Sequence, residues 1–199
     1  GATIVSATFL LLAEEALTFR DGMAAPKEAW TEDRLVDFGP GTGPKRVWLL
    51  DNPEVYTSHQ AMGIPTLSSS FGTAPGIWNL LFGAMKALPK KILADRDLMQ
   101  ALSVFSEPII RAVDAIVGAK NCMRVDAVGA DGTELTLRVT HHDLEQAVGI
   151  GTAAFGMEIL LGNVENGVCF PIEMTQTQRK AILARAKRET SLWELEPSS

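Results

Sequence analysis

Few residues in this chain are suited to chemistry, and their spacing limits what they can do. There are 3 histidines, His59, His141 and His142. The adjacent pair ends a predicted strand, where successive side chains leave opposite faces of a sheet, so only one of the two can face a pocket. Imidazole titrates near neutral pH and suits general acid or base work, although hydrogen bonding at a strand end is the plainer role. As metal ligands they would need a third group such as Cys169 or Asp143, and the spacing does not supply one, so no metal is expected. The 2 cysteines, Cys122 and Cys169, lie far apart in sequence. They form neither a disulfide framework nor a zinc motif, which points to a reducing, cytoplasmic setting. Ser68-Ser69-Ser70-Phe71-Gly72-Thr73 closes an apolar stretch with hydroxyls and free amides, a common place to hold a ligand, with a simple turn as the plainer alternative. No Gly-x-Ser-x-Gly elbow occurs, so serine-hydrolase chemistry has little support. Gly39-Pro40-Gly41-Thr42-Gly43 is rich enough in glycine to cradle a phosphate, but Pro44 and a strand follow it where a helix N-terminus would have to supply donors. Arg179, Lys180, Arg185, Lys187 and Arg188 read as the solvated face of a last helix, with contact to an anionic partner as the lesser alternative.

The elements that must position these residues alternate between strands and helices. Thr3 to Ser6 reads as a short strand, and Phe9, Leu10, Leu12, Ala13, Ala16 and Leu17 keep helical spacing up to Phe19. Met23 to Pro44 is a long excursion broken by proline and glycine, extended only over Arg34 to Phe38. Lys45 to Asp51 and Ile64 to Ser69 read as strands, and Ile77, Leu80, Leu81 and Ala84 as one face of a helix. A further helix is predicted to begin after Asp95, a suitable N-cap, and to run through Leu98, Leu102, Phe105, Ile109 and Val113, with Pro108 kinking or splitting it. Asn121 to Val128, the turn Ala130-Asp131-Gly132 and Glu134 to His141 form the clearest local signal, an antiparallel hairpin. Its alternation expects Met123, Val125, Ala127, Leu135, Leu137 and Val139 on the buried face. Ile150, Ala153, Ala154, Met157, Leu160 and Leu161 form a helical stripe ended by Gly162-Asn163. Val168 to Ile172 is extended, Gln178 to Arg188 is helical, and the tail Pro197-Ser198-Ser199 is expected to fray.

The chain has 199 residues, 46% of them hydrophobic, 21% charged, and a net charge of −6. This describes a globular chain whose length suits one domain, with two small ones as the alternative. A sequence pI near 5.1 argues against binding that depends on wrapping nucleic-acid phosphates. The stretch Ile4 to Leu17 is cut by Ser6, Thr8, Glu14 and Glu15, too short and too polar for a membrane span, and no Lys or Arg precedes Arg20 as a secretory signal would require. An opening of Gly1-Ala2 without Met is expected of a segment cut from a longer protein. The expected class is α+β, with one open, largely antiparallel mixed sheet and helices mainly on one face. A sheet face left bare predicts a homodimer.

Several segments together resemble the C-terminal part of the saccharopine dehydrogenase-like oxidoreductases. They are Ala13-Glu14-Glu15-Ala16-Leu17, Arg46 to Asp51 with Pro53-Glu54, Met62-Gly63-Ile64-Pro65-Thr66, Gly149-Ile150-Gly151-Thr152-Ala153-Ala154, Ile159-Leu160-Leu161-Gly162 and Gly167-Val168-Cys169-Phe170-Pro171. The resemblance runs from about Ala7 to Pro171, most of the chain, on motifs that are mainly turns and packing glycines. It implies a substrate-binding and dimerisation domain that follows a nucleotide-binding Rossmann domain, with NAD or NADP held by the parent protein outside residues 1–199. Residues 1–199 offer no strand, Gly-rich turn and helix in the order that domain needs, so hydride chemistry is expected to be incomplete in this chain alone. On this reading Arg46, Ser69, Phe71 and His141 or His142 line the pocket for a small-molecule substrate, with the planar fork of Arg46 suited to a carboxylate. The alternative is a non-catalytic ligand-binding or protein-interaction module of the same fold.

Overall fold

The computed structural model describes residues 2–118, 120–165 and 167–197; of the tail expected to fray, Ser198 and Ser199 lie outside them. The class is α+β, as expected, with its strands in four small sheets instead of one. The chain forms two compact units, Gly1–Val36 with Lys45–Gly118, and Asp37–Pro44 with Ala119–Ser199.

The first unit runs α1 (Ala2–Leu11), β1 (Glu15–Ala16), β2 (Phe19–Arg20), β3 (Met23–Ala24), β4 (Lys27–Glu28), β5 (Arg34–Asp37), β6 (Pro44–Leu49), α2 (Pro53–Met62), β7 (Ser70–Phe71), α3 (Ile77–Met85), α4 (Lys90–Leu93) and α5 (Arg96–Val117). Thr3 to Ser6, expected as a strand, belongs to helix α1, which ends at Leu11 instead of reaching Phe19. α1 packs against α5, and burial of Phe9 and Leu12 outweighs the strand preference of its β-branched start. Where a strand was expected over Ile64 to Ser69, there is only a bridge from Leu67 to Phe19 before the two residues of β7. β7 pairs antiparallel with β6, Phe71 opposite Trp48 and Ser70 opposite Leu49. A Cβ at Gly72 would lie 2.3 Å from the carbonyl oxygen of Arg46, so this approach of the chain to β6 requires glycine.

Asp95 caps α5 as expected, its carboxylate accepting from the Leu98 N–H at 3.0 Å. Pro108 does not split the helix, which is continuous over its 22 residues. The face turned inward differs from expectation. Met99 and Ser103 are buried, whereas Leu98, Leu102, Phe105 and Ile109 are exposed. α1 packs against α5, whose inward side carries Met99 and Ser103.

The second unit holds β8 (Asn121–Val128), β9 (Glu134–His141), α6 (Leu144–Leu160), a 3₁₀ turn (Pro171–Glu173), α7 (Gln176–Ala186) and β10 (Leu192–Pro197). The 3₁₀ turn occupies part of the stretch expected to be extended from Val168 to Ile172. The hairpin β8–β9 has the expected boundaries, and β10 adds antiparallel to β9. Its faces are inverted. Thr136 and Thr140 are buried, while Met123, Val125 and Leu135 are exposed. The cause is the glycine-rich segment of residues 37–44, which covers the polar face. Arg124 donates to the Asp37 carbonyl at 2.9 Å, Lys120 to the Gly41 carbonyl at 2.9 Å, and Thr42 meets the Cys122 sulfur at 3.2 Å.

α6 and α7 pack together around Ala154, Met174 and Ile182. Of the stripe expected to be buried on α6, Ala154 is inside and Met157, Leu160 and Leu161 are exposed. Glu158, only 2% exposed, sits between the helices. It accepts from Asn163 Nδ2 at 2.8 Å and from Arg185 Nε at 3.1 Å. The Asn163 amide, and after it the Arg185 guanidinium, hold this carboxyl below its ordinary 4.5 against the opposing effect of burial.

Two outcomes are expected. Gly72→Ala should lose roughly 1–3 kcal/mol in urea unfolding, because the methyl has nowhere to go except into the β6 backbone. A depressed carboxyl contributes stability that is present above about pH 4.5 and is lost as pH falls through its lowered value in the folded chain. Glu158→Gln should therefore melt below the unsubstituted chain at pH 7, and thermal melts should show the gap closing on acidification below pH 4.5.

Candidate functional site

The first unit contains a shallow, open cleft of about 590 Å³ lined by Glu28, Trp30, Trp48, Asn79, Leu80, Gly83, Lys86 and Ala87. Its floor is aromatic. Trp30 follows β4 with φ 59°, a left-handed backbone that a bulky residue keeps only when its surroundings hold it there. The Trp30 N–H donates to the Leu49 carbonyl at 2.7 Å, and its indole Nε1–H donates to the Asn79 carbonyl at 3.2 Å. The indole stacks on Trp48 at 5.1 Å and 4°, with Phe82 edge-on at 5.1 Å and 80°. Both are favoured aromatic geometries.

Asn79 ties the floor to α3. Its side-chain amide accepts from the Thr73 N–H at 2.9 Å and donates to the Thr73 carbonyl at 2.7 Å, so this amide is spent on structure. The rim is ionic. Lys86 Nζ lies 2.8 Å from Glu28, and the hydrogen bond and charge of Lys86, with Lys90 adding to them, hold the Glu28 carboxyl below the usual carboxylate range. A Cβ at Gly83 would stand 3.8 Å from the Trp30 indole, in ordinary contact. A floor of stacked indoles below one positive and one negative group suits a small molecule that carries an apolar body and both charges. The charged groups of the lining are Glu28 and Lys86.

The residues singled out from sequence are placed apart. Arg46 lies on β6 with its guanidinium paired to Asp33 at the exposed surface. Ser69 accepts from Asn52 Nδ2 at 2.8 Å and donates to Glu54 at 3.1 Å, bracing the start of α2. Phe71 packs beneath the floor, its ring 6.5 Å from Trp30. His141 is the last residue of β9, opposite Asn121 in the second unit, and His142 is exposed just beyond the strand. Among the described residues, none of these five lines the cleft. Sequence reasoning missed Trp30, Trp48, Glu28 and Lys86. The available signal was that 2 of the chain's 4 tryptophans lie in or just after the Pro- and Gly-rich excursion, Trp30 inside it and Trp48 four residues beyond.

The glycine run does not fit a dinucleotide. The Gly43 N–H donates to the Gly39 carbonyl at 2.8 Å, closing the run on itself, and β6 follows it where a helix would be needed. Among the described residues no group of three or more His, Cys, Asp or Glu could hold a metal ion, and no helix is long and apolar enough to cross a membrane. No protein-family model matches the chain, and no curated protein matches it.

Floor and rim separate in their effect on folding. Trp30→Ala should cost about 3–5 kcal/mol, since it removes the stack, the edge contact and the bond to Asn79 together. Lys86→Met removes one ion pair with an exposed partner and should change stability by no more than about 1 kcal/mol. Urea unfolding followed by circular dichroism measures both.

Proposed function

We propose that the cleft of the first unit binds a small zwitterion of the α-amino-acid type, with its apolar part on the Trp30–Trp48 stack, its carboxylate at Lys86 and its ammonium at Glu28. The observation that carries this reading is the Glu28–Lys86 pair standing over stacked indoles. A neutral ligand would leave that pair unused, and a simple anion would have to compete with Glu28 for Lys86.

On the same reading the chain is the substrate-binding and dimerisation domain of a saccharopine dehydrogenase-like oxidoreductase of the cytoplasm. The segments around Met62-Gly63-Ile64-Pro65-Thr66 and Gly149 to Ala154 support it, and NAD or NADP would be bound elsewhere in the parent protein. A non-catalytic ligand-binding module would use the same cleft.

Titration of the chain with α-amino acids bearing aromatic, aliphatic or acidic side chains, followed by tryptophan fluorescence, tests the site. A saturable change is expected, and Lys86→Met should weaken it at least about tenfold, the loss of one charge-assisted bond. Equal binding of an apolar acid that lacks the amine, or no response to any amino acid, would overturn the assignment. In the parent protein, oxidation of NADPH or NADH driven by the ligand that binds supports the oxidoreductase. Binding without turnover supports the module.

A further inference from the structure

We propose that Gly83 sets the specificity of the cleft, holding open the space in which an α-amino acid with an aromatic side chain lays its ring. The inference rests on the reading of the cleft as a zwitterion site and names the side chain that site takes. Gly83 lies within α3, where glycine is less favourable than alanine because it gives up more backbone freedom on folding. The fold does not ask for it. Its backbone is not left-handed, and the nearest atoms a Cβ there would meet are those of the Trp30 indole, at the ordinary contact distance of 3.8 Å. Gly72 is the contrast, since a Cβ there would run into the Arg46 carbonyl of β6 at 2.3 Å. What a side chain at residue 83 would take away is room in the cleft, which Gly83 lines.

The rest of the lining gives that room a direction. Leu80, Gly83 and Ala87 are spaced by three and four residues, so they lie along one side of α3 and the turn after it, with Lys86 beside Ala87. Lys86, paired to Glu28, therefore stands at one end and Leu80, 69% exposed, at the other, about 9 Å away along the helix axis. An amino acid with its carboxylate at Lys86 must cross Gly83 to reach Leu80, which a ring does and a methyl does not. Trp48, half-buried with Trp30 stacked on it, gives this ring an aromatic neighbour. Around a small side chain a cleft of about 590 Å³ would stay mostly filled with water.

Calorimetric titration of the full chain with phenylalanine, leucine, glutamate and alanine reads the preference directly. Phenylalanine should bind most tightly, at least about tenfold better than alanine. Gly83→Leu, at an exposed position, should bring phenylalanine down to the affinity of alanine and leave alanine itself little changed, a loss of preference that a merely structural role would not produce. Gly83→Ala should narrow the difference while melting no lower than the unsubstituted chain, since it removes a glycine from a helix, and it keeps the test decisive if Gly83→Leu fails to fold. If none of the four amino acids binds, the zwitterion reading fails and this inference with it. If they bind, three results would each overturn the role of Gly83 and leave the zwitterion reading standing: phenylalanine no tighter than the others, an undiminished preference for it in both variants, or a Gly83→Ala chain that melts several degrees lower.

Discussion

The first unit depends on how Trp30 is held. One indole satisfies its only polar atom at the Asn79 carbonyl, lies flat on Trp48 and takes the edge of Phe82. These contacts come from a loop after β4, a strand and a helix, so they fix β6 and α3 relative to each other. A left-handed backbone at a tryptophan costs on the order of 1–3 kcal/mol, and it persists because the N–H bond to Leu49 and the buried ring leave no better alternative. Asn79 then carries the constraint onward to Thr73. Gly72, placed where only glycine can approach β6, lets β7 close the arrangement.

The second unit is organised by polar groups more than by a wide apolar core. The face of the β8–β9–β10 sheet that turns inward is the polar one, carrying Cys122, Arg124, Asp126, Thr136, Arg138 and Thr140. Its cover, residues 37–44, meets Arg124 and Cys122 through hydrogen bonds from the Asp37 carbonyl and the Thr42 hydroxyl. Between α6 and α7 a buried carboxylate is satisfied by Asn163 and Arg185. Buried polar groups tolerate burial only when such partners are present, which makes both arrangements specific in geometry.

In the first unit, stability and recognition share residues without coinciding. Trp30 and Asn79 are buried and use their polar atoms internally, leaving the half-buried Trp48 and the Glu28–Lys86 pair as the features that can meet another molecule. The apolar stripe of α5 is of a different kind. Nothing in the hydrogen bonding of its own helix requires it, and its spacing is that of an amphipathic helix.

The sequence alone determined what depends on neighbours a few residues apart. The β8–β9 hairpin has its expected ends because the Asp131-Gly132 turn and the strand alternation act locally, and α5 begins at Asp95 because a carboxylate can reach the Leu98 N–H three residues on. The α+β class follows from the same alternating signals. Local pattern could not tell which side of an element faces inward. Met123 and Val125 on the hairpin, and Leu98 and Phe105 on α5, have the spacing of core residues yet lie outside, because residues 37–44 and α1 cover the opposite sides. The same holds for the cleft, where Glu28 meets Lys86, and Trp30 meets Trp48 and Asn79, across long separations in sequence. Tertiary structure decided these pairings, because burial and charge pairing respond to closeness in space, which spacing along the chain does not encode.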